Sequence, residues 1–277
     1  MFEIVRIENF SPSTFLWEVR APEIAHAARP GQFVIVRCDE KAERIPLTIA
    51  DFDVVSGTVT VVIQAAGKST FDMKAYKALD QISDVAGPLG EPSEIENFGT
   101  VVLVGGGLGV APVFPILRAL KLKGCRTISI IGFRSKSLVF WEGRFREYSD
   151  ETIIVTDDGT YGEKGLVTQP LKQIITEREI NRVIAIGPLV MMKAAAEVTR
   201  PAGVRTIVSV NPIMVDGTGM CGSCRVSLGG EVKFACIDGP DMDGHLVNFD
   251  ELLIRQKRFS KYEKKSLELY EKKCQKK

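Results

Sequence analysis

The amino-acid sequence predicts an antiparallel β-barrel, then an α/β domain with a doubly wound parallel sheet, and then a small cysteine-rich module. Three observations support this fold class. Short runs in the first 97 residues alternate apolar and polar side chains, a glycine turn at 105–109 follows a continuously apolar run, and three of the six cysteines lie within 221–236. We place the segment boundaries at residues 1–97, 98–212, 213–248 and 249–277.

The composition is that of a soluble globular chain. Its 277 residues are 45% hydrophobic and 26% charged, with a formal net charge of +1, which predicts neither nucleic-acid nor membrane binding. The first six residues lack the features of a signal peptide, and no apolar stretch approaches the roughly 18 residues that span a bilayer. We therefore expect a cytoplasmic protein. Residues 255–277 carry ten Lys or Arg and three Glu, which indicates a solubilising helix or, alternatively, a segment that docks onto an acidic surface.

The predicted barrel depends on strands that are rich in Val, Ile and Thr and have a period of two, as in Thr14–Arg20, Gln32–Arg37 and Thr58–Ile63. Proline and glycine turns separate them. Several short antiparallel strands in fewer than 100 residues are typical of a small barrel. Residues 69–79 fit a helix between two strands.

The α/β domain is predicted from residue 100 onward. Residues 100–104 are all apolar except the first, as in a parallel strand that is buried on both faces. Residues 110–122 have helical spacing and end before a glycine. Strands then follow at 127–131, 152–156, 182–186 and 204–210, and helices at 142–148, 166–177 and 190–200. A Lys/Glu-rich helix without an obvious partner face is predicted at 249–273.

A glycine loop is the first candidate binding element. It joins the first strand to its helix, where free backbone N–H groups and the helix dipole favour a phosphate. The loop comprises Gly105, Gly106, Gly107, Leu108 and Gly109. It is not a full dinucleotide fingerprint, because a valine takes the last glycine position and Arg134 stands where an acidic residue would close the second strand. A second glycine turn, with Gly187, Pro188 and Met191, is expected to face the same crevice. The alternative is a pair of tight turns without a ligand.

The cysteine cluster is the second candidate site. Cys221, Cys224 and Cys236 have the spacing C-x2-C-x11-C, and three thiolates suit an iron–sulfur cluster or zinc. His245 is available as a fourth ligand, which would favour a structural zinc site. The other three cysteines, at 38, 125 and 274, are expected to be ordinary thiols.

The order of these motifs resembles that of the ferredoxin–NADP reductase superfamily, and the resemblance covers residues 1–260. The cysteine segment is similar to that of the electron-transfer subunits of dihydroorotate dehydrogenase. It is more similar to that of the small subunits of NADH-dependent reduced ferredoxin:NADP oxidoreductases. The resemblance implies FAD on the barrel, a [2Fe–2S] cluster in the cysteine module and a nicotinamide nucleotide on the α/β domain, where it favours NAD(H) and leaves NADP(H) possible. It also implies a heterodimer with a larger flavin and iron–sulfur subunit, which supplies the second substrate site and bifurcates electrons to ferredoxin and NAD. The alternative is a subunit of a dihydroorotate dehydrogenase or hydrogenase-type complex.

The resemblance also implies roles for individual residues. Arg44 would face the flavin phosphate, although it stands four residues before Thr48 rather than three, and Thr48 would lie by the reactive flavin edge. The whole expected flavin set is Arg44, Pro46, Leu47, Thr48, Val62, Ile63, Gln64, Gly67, Ser69 and Thr70. Asp216, in the position of a relative's fourth cysteine, would complete the cluster with the three cysteines. Arg134 could meet a 2′-phosphate of NADP(H), whereas Asp157 or Asp158 could meet a ribose hydroxyl of NAD(H).

The expected chemistry is hydride transfer between nicotinamide and flavin, followed by one-electron transfer between flavin and cluster. No side-chain acid, base or nucleophile is required. Two other classes remain open from the sequence: a pure electron relay whose substrate chemistry lies in a partner, and a zinc-bearing nucleotide-binding regulator.

Overall fold

The first part of the chain folds into an antiparallel barrel sheet. A computed structural model describes residues 1–274. The barrel strands are β1 (Phe2–Asn9), β2 (Thr14–Arg20), β3 (Phe33–Arg37), β4 (Ile45–Asp53), β5 (Thr58–Gln64), β6 (Gln81–Ile82) and β7 (Asp84–Leu89), with the helices α1 (Pro22–Ala27) and α2 (Lys68–Lys74).

The seven strands are ordered β6-β1-β2-β5-β4-β3-β7, and each neighbouring pair is antiparallel. Alternate side chains point inward and form a core around the fully buried Trp17 and Phe15. The predicted barrel is therefore confirmed. The helix predicted for 69–79 is shorter, because the chain leaves α2 after Lys74 and turns. Leu79 is left-handed at φ 76°, and the Lys77 amide donates to the Asp80 carboxylate at 2.7 Å.

The second part is a doubly wound α/β domain, as predicted. Its strands are β8 (Thr100–Gly106), β9 (Arg126–Phe133), β10 (Glu151–Thr156), β11 (Glu163–Lys164), β12 (Arg182–Ile186) and β13 (Thr206–Ser209). Its helices are α3 (Val110–Leu122), α4 (Glu142–Tyr148), α5 (Thr168–Glu177) and α6 (Leu189–Thr199). These six strands are parallel and ordered β11-β10-β9-β8-β12-β13, so the strand order reverses on either side of β8.

The cysteine segment is tied to this sheet. A short hairpin is formed by β14 (Arg225–Leu228) and β15 (Glu231–Phe234). The next strand, β16 (Asp241–Asp243), pairs antiparallel with β13 and adds a seventh strand to the sheet. The small cysteine module therefore contributes a strand to the sheet of the α/β domain and is not a separate appendage.

The C-terminal segment has partners on two sides, which corrects the expectation of a helix without one. It divides into α7 (Phe249–Gln256) and α8 (Ser260–Cys274), joined by a single turn. Phe249 and Leu252 of α7 are buried in the core of the α/β domain. Helix α8 returns to the barrel, where Tyr270 stacks on Phe71 of α2 with ring centroids 6.1 Å apart. The last three residues of the predicted basic tail lie outside the described residues.

The barrel packs directly against the α/β domain through α3 and β4. Ala50 of β4 and Ala111 of α3 are both 1% exposed, and such small side chains allow close approach. On the same side, Phe10 of the barrel stacks on Phe140 at 4.8 Å. None of the helices within residues 1–274 combines the length and hydropathy needed to span a bilayer.

Candidate cofactor sites

The glycine loop lies at the carboxyl end of β8, beside the point where the strand order reverses. Gly105 and Gly106 end the strand, and residues 107–109 form a single 3₁₀ turn before α3. Gly107 is left-handed at φ +54°, and a Cβ built on it would meet nothing within 4 Å. Its backbone therefore faces open space, and at the carboxyl edge of a parallel sheet such a crevice is where ligands bind.

The other glycines of the loop serve close packing. A Cβ on Gly109 would lie 2.2 Å from the Ile186 carbonyl oxygen, and one on Gly106 would lie 2.3 Å from Met191 Sδ. A Cβ on Gly187 would lie 3.1 Å from the Gly106 carbonyl oxygen. The two predicted glycine turns are therefore in contact across neighbouring strands, as their common edge requires. Pro188 directly precedes α6, and the Leu108 side chain packs against the buried apolar cluster of the α/β domain.

The residues proposed to distinguish NAD(H) from NADP(H) lie together at the same edge. Arg134 is exposed after β9, and its carbonyl accepts from the Asp158 amide at 3.2 Å. The Asp158 carboxylate is engaged by its own turn, because it accepts from the Thr160 amide and hydroxyl at 2.9 and 2.7 Å. These hydrogen bonds lower the pKa of Asp158. Asp157 is likewise exposed, directly after β10.

Strand β4 carries the expected flavin motif. Pro46, Leu47 and Thr48 pair with β3 and are partly exposed. The Arg44 guanidinium donates to two carbonyl oxygens of the cysteine segment, those of Val215 and Asp216, both at 3.2 Å. The structure thus gives Arg44 a partner that its sequence position did not indicate, and the arginine links the barrel to the candidate cluster loop.

The three predicted flavin residues at the end of β5 alternate between the two faces of the strand. Val62 packs with the α3 side of the molecule, and Ile63 packs in the barrel core. Gln64 is exposed. Because the Ile63 side chain lies in the barrel core, Ile63 itself could border a flavin only through its backbone atoms.

Helix α2 and the β3–β4 loop line a cavity of about 550 Å³, a volume in the range of small-ligand sites. The lining includes Lys41, Glu43, Lys68, Ser69, Asp72 and Tyr76. The Thr70 hydroxyl is engaged in the turn before α2, where it accepts hydrogen bonds from the Ala66 and Gly67 amides at 2.9 and 3.1 Å. The Ser69 hydroxyl donates to the Glu43 carboxylate. Sequence reasoning missed Glu43, Asp72 and Tyr76, because no local pattern indicates that the β3–β4 loop faces α2.

The structure brings two of the three clustered cysteines together. Cys224 and Cys236 are buried, with their sulfurs 3.2 Å apart. Thiolates about 2.3 Å from one tetrahedral metal would lie about 3.8 Å apart, so only a small adjustment separates the pair from a shared metal. Burial, followed by the hydrogen bond with Cys224, raises the pKa of Cys236 to about 12. Cys221 is exposed, and backbone hydrogen bonds at Ser223 and Asp216 lower its pKa.

The Asp216 carboxylate is turned into its own loop. It accepts from the Thr218 hydroxyl at 2.6 Å and from the amides of Met220 and Cys221 at 3.2 and 3.4 Å. The Thr218 hydroxyl is the largest influence that lowers the pKa of Asp216. These hydrogen bonds hold the carboxylate within its own loop, next to the Cys221 amide. Its role as a ligand stays a prediction.

Within residues 1–274, no three His, Cys, Asp or Glu side chains form a ready-made metal site. The donor set of three thiols and an ionised carboxylate nonetheless suits iron chemically. His245, the alternative fourth ligand, is held elsewhere. Its Nε2 lies 2.9 Å from the Thr199 hydroxyl, and its carbonyl accepts from Arg200. A Cys₃His zinc site is accordingly disfavoured.

Comparisons with known proteins identify relatives of the chain and of its cysteine segment. Residues 211–248 match the model of the iron–sulfur cluster binding domain of dihydroorotate dehydrogenase B. A homologue of the dihydroorotate dehydrogenase B electron transfer subunit from Thermotoga maritima is 46% identical over 268 residues, with 97% of this chain and 95% of the relative covered. The electron transfer subunit from Desulforamulus reducens is 32% identical over 246 residues, with 86% and 94% covered.

A solved structure is similar over the entire fold. A chain from the NADH-dependent reduced ferredoxin-NADP oxidoreductase, whose structure was described for flavin-based electron bifurcation, superimposes with a TM-score of 0.93. It is 44% identical, and 98% of each chain is covered. The resemblance inferred from the ordered motifs is confirmed.

Proposed function

Because this chain belongs to the family of dihydroorotate dehydrogenase B electron-transfer subunits, we propose that it passes electrons between NAD(H), FAD and a [2Fe–2S] cluster. We propose further that it does so within an electron-bifurcating ferredoxin:NADP oxidoreductase. The extensive similarity to a chain of such an enzyme favours this interpretation over a dihydroorotate or hydrogenase-type complex. An electron-transfer role in a flavin-dependent oxidoreductase is common to these relatives.

One observation of the fold carries the proposal: the candidate cluster segment is joined to both the barrel and the α/β domain. On one side, Arg44 of the barrel bonds the carbonyls of Val215 and Asp216. A Cβ on Gly217 would lie 2.5 Å from Ile35 of β3, so the loop is seated directly on the barrel. On the other side, the same segment continues into β16 of the α/β sheet. An electron relay requires this contiguity, whereas a separate structural zinc module does not.

The proposed division of labour follows from the residues. Gly107 and the start of α3 would hold the nicotinamide nucleotide phosphates. The backbone of Gly107 faces open space, and a side chain there would keep a phosphate away from the backbone N–H groups. Thr48, Leu47 and Pro46 would border the flavin, and the cavity beside Ser69 would take its nucleotide part. Flavin supplies the conversion between two-electron and one-electron transfer. The chain itself would orient the cofactors, and the hydride step requires no side-chain acid or base.

The cluster would be held by Cys221, Cys224 and Cys236, with Asp216 as the proposed fourth ligand. The buried pair lies in an apolar environment and the exposed Cys221 lies at the surface. Exposure of a cluster ligand would allow electrons to leave toward another protein. The named relatives are electron transfer subunits, and we propose a larger flavin and iron–sulfur subunit as the partner, with ferredoxin reached through that complex.

The preference for NAD(H) over NADP(H) is proposed from the exposed Asp157 at the end of β10, which can accept from a ribose hydroxyl. Arg134 lies beside it and is the residue that NADP(H) would use. The kinetic constants of the isolated subunit for NADH and NADPH, with a dye as electron acceptor, distinguish the two nucleotides.

The decisive test is the visible spectrum of the protein purified without oxygen, combined with analysis of iron, sulfide, zinc and released flavin. We expect one FAD, two irons and two sulfides per chain, and bleaching of the flavin by NADH. A colourless protein that contains zinc and cannot be reconstituted with flavin would refute the proposal.

A further inference from the structure

A partly buried charge cluster links the barrel to the α/β domain. Asp51 of β4 lies at its centre, with its side chain only 14% exposed. One carboxylate oxygen contacts Arg118 of α3 at 2.7 Å, and the other contacts Arg144 of α4. We call this set the Asp51 clamp.

Both arginines of the clamp are held on aromatic rings. The Arg144 guanidinium lies 4.0 Å from the ring centre of Phe114 and 4.4 Å from that of Trp141. Arg118 lies 5.5 Å from Phe114. Trp141 adopts a left-handed backbone at φ 59°, a conformation that a bulky residue keeps only when its surroundings impose it. The clamp is therefore a preorganised contact rather than a pair of flexible surface ions.

The clamp joins the two structural elements that carry the proposed reaction partners. Asp51 stands three residues after Thr48 on β4, a separation of about 10 Å along a strand. Arg118 stands eight residues after Val110, the first residue of α3, a separation of about 12 Å along the helix. The glycine loop directly precedes that helix. A shift of α3 against β4 would therefore move the nucleotide site relative to the flavin strand.

We propose that Asp51 is a positioning residue that sets the distance between nicotinamide and flavin. This inference rests on the proposed function, since it requires both cofactors. Hydride transfer demands reacting atoms about 3–3.5 Å apart, and a misplacement of about 1 Å can lower a rate about 100-fold. The apolar contact of Ala50 with α3 keeps the domains together, but the clamp supplies the directional bonds that fix their register.

The test compares Asp51→Asn with Asp150→Asn. Asp150 also bonds a cation of α3, with its carboxylate 2.6 Å from Lys121 Nζ, but it lies within the α/β domain and makes no link to the barrel. Both changes replace a carboxylate by an amide of the same shape. Asp51→Glu serves as the conservative variant, because it retains the charge and should recover part of the loss.

The holoprotein is mixed with NADH without oxygen, and flavin bleaching is followed at saturating NADH. We expect Asp51→Asn to lower the rate about tenfold or more with unchanged FAD and iron content, and to make the deuterium isotope effect more dependent on temperature. Asp150→Asn should leave both unchanged. Independently of turnover, hydrogen exchange in the absence of nicotinamide nucleotide should increase in β4 and α3 for Asp51→Asn alone.

The outcomes separate two failures. If NADH bleaches the wild-type flavin and Asp51→Asn matches Asp150→Asn in rate and isotope effect, the positioning role is wrong and the proposed function stands. If neither NADH nor NADPH reduces the wild-type flavin, the proposed function fails and the inference fails with it. Should Asp51→Asn lose FAD, Arg144→Lys replaces it, and an unchanged rate in that variant would overturn the inference.

Discussion

Gly107→Ala tests the nucleotide site most directly. Gly107 is left-handed, and its missing side chain would project into open space at the carboxyl edge of the sheet. A methyl group there would displace a phosphate from the backbone amides without disturbing any protein atom within 4 Å. The loss of one hydrogen bond to a charged group is worth about 1.5–3 kcal/mol. At 1.4 kcal/mol per tenfold, we expect KM for NADH to rise about 10- to 100-fold.

Gly203 provides a matched control. It is also left-handed, at φ +64°, and also has nothing within 4 Å of its Cβ position. It lies just before β13, at the opposite edge of the sheet. An alanine in this conformation costs about 1–2 kcal/mol at either position, so both variants should show a similar decrease in Tm.

The assay measures NADH oxidation with a dye, together with thermal unfolding and the amount of FAD released. Gly203→Ala should retain the wild-type KM, and both variants should retain FAD. Equal KM values for the two variants, with the decrease in Tm present in each, would show that the open face of Gly107 is not the nucleotide site.

Three further predictions concern buried groups and the cluster loop. Cys224→Ser should lose iron and keep FAD, because an alcohol is a poor iron ligand, whereas the buried control Cys125→Ser should retain iron in metal analysis. Asp216→Cys should keep the cluster and shift its potential and visible spectrum; an unchanged spectrum would indicate that Asp216 only shapes its loop. Burial raises the pKa of the Asp241 carboxyl, which accepts from Ser93 Oγ at 2.6 Å. The folded state therefore retains a proton that the unfolded chain has released, so stability falls as pH rises above about 4. In urea unfolding between about pH 4 and pH 8, Asp241→Asn should flatten this dependence, and an unchanged slope would contradict it.

Local patterns determined the central elements closely. Residues 110–122 and 142–148 are helices and 182–186 is a strand, with the bounds that the sequence predicts. These segments have strong periodicity and clear end signals, so their neighbours in sequence suffice to specify them. The spacing of Cys221, Cys224 and Cys236 likewise indicates a thiolate site, because all three lie within one short stretch of the chain.

Other features depend on contacts between distant parts of the chain. Arg44 meets Asp216 across 172 residues, and the sequence motif suggested only a phosphate partner for it. Helix α8 was expected to lack a partner because the α2 surface that it covers lies nearly 200 residues earlier in the sequence. No periodicity within a segment carries that information.

The sequence by itself determined the barrel, the α/β alternation, the glycine loop and the thiolate set, because each depends on residues that are close together in the chain. The tertiary structure alone decided that β16 joins the sheet of the α/β domain and that the cluster loop contacts the barrel. It also decided that Asp51 of the barrel binds two arginines of the α/β domain. Those contacts arise when packed faces bring separate segments together. Charged and hydrogen-bonding groups that leave the solvent then find partners that only the folded chain supplies.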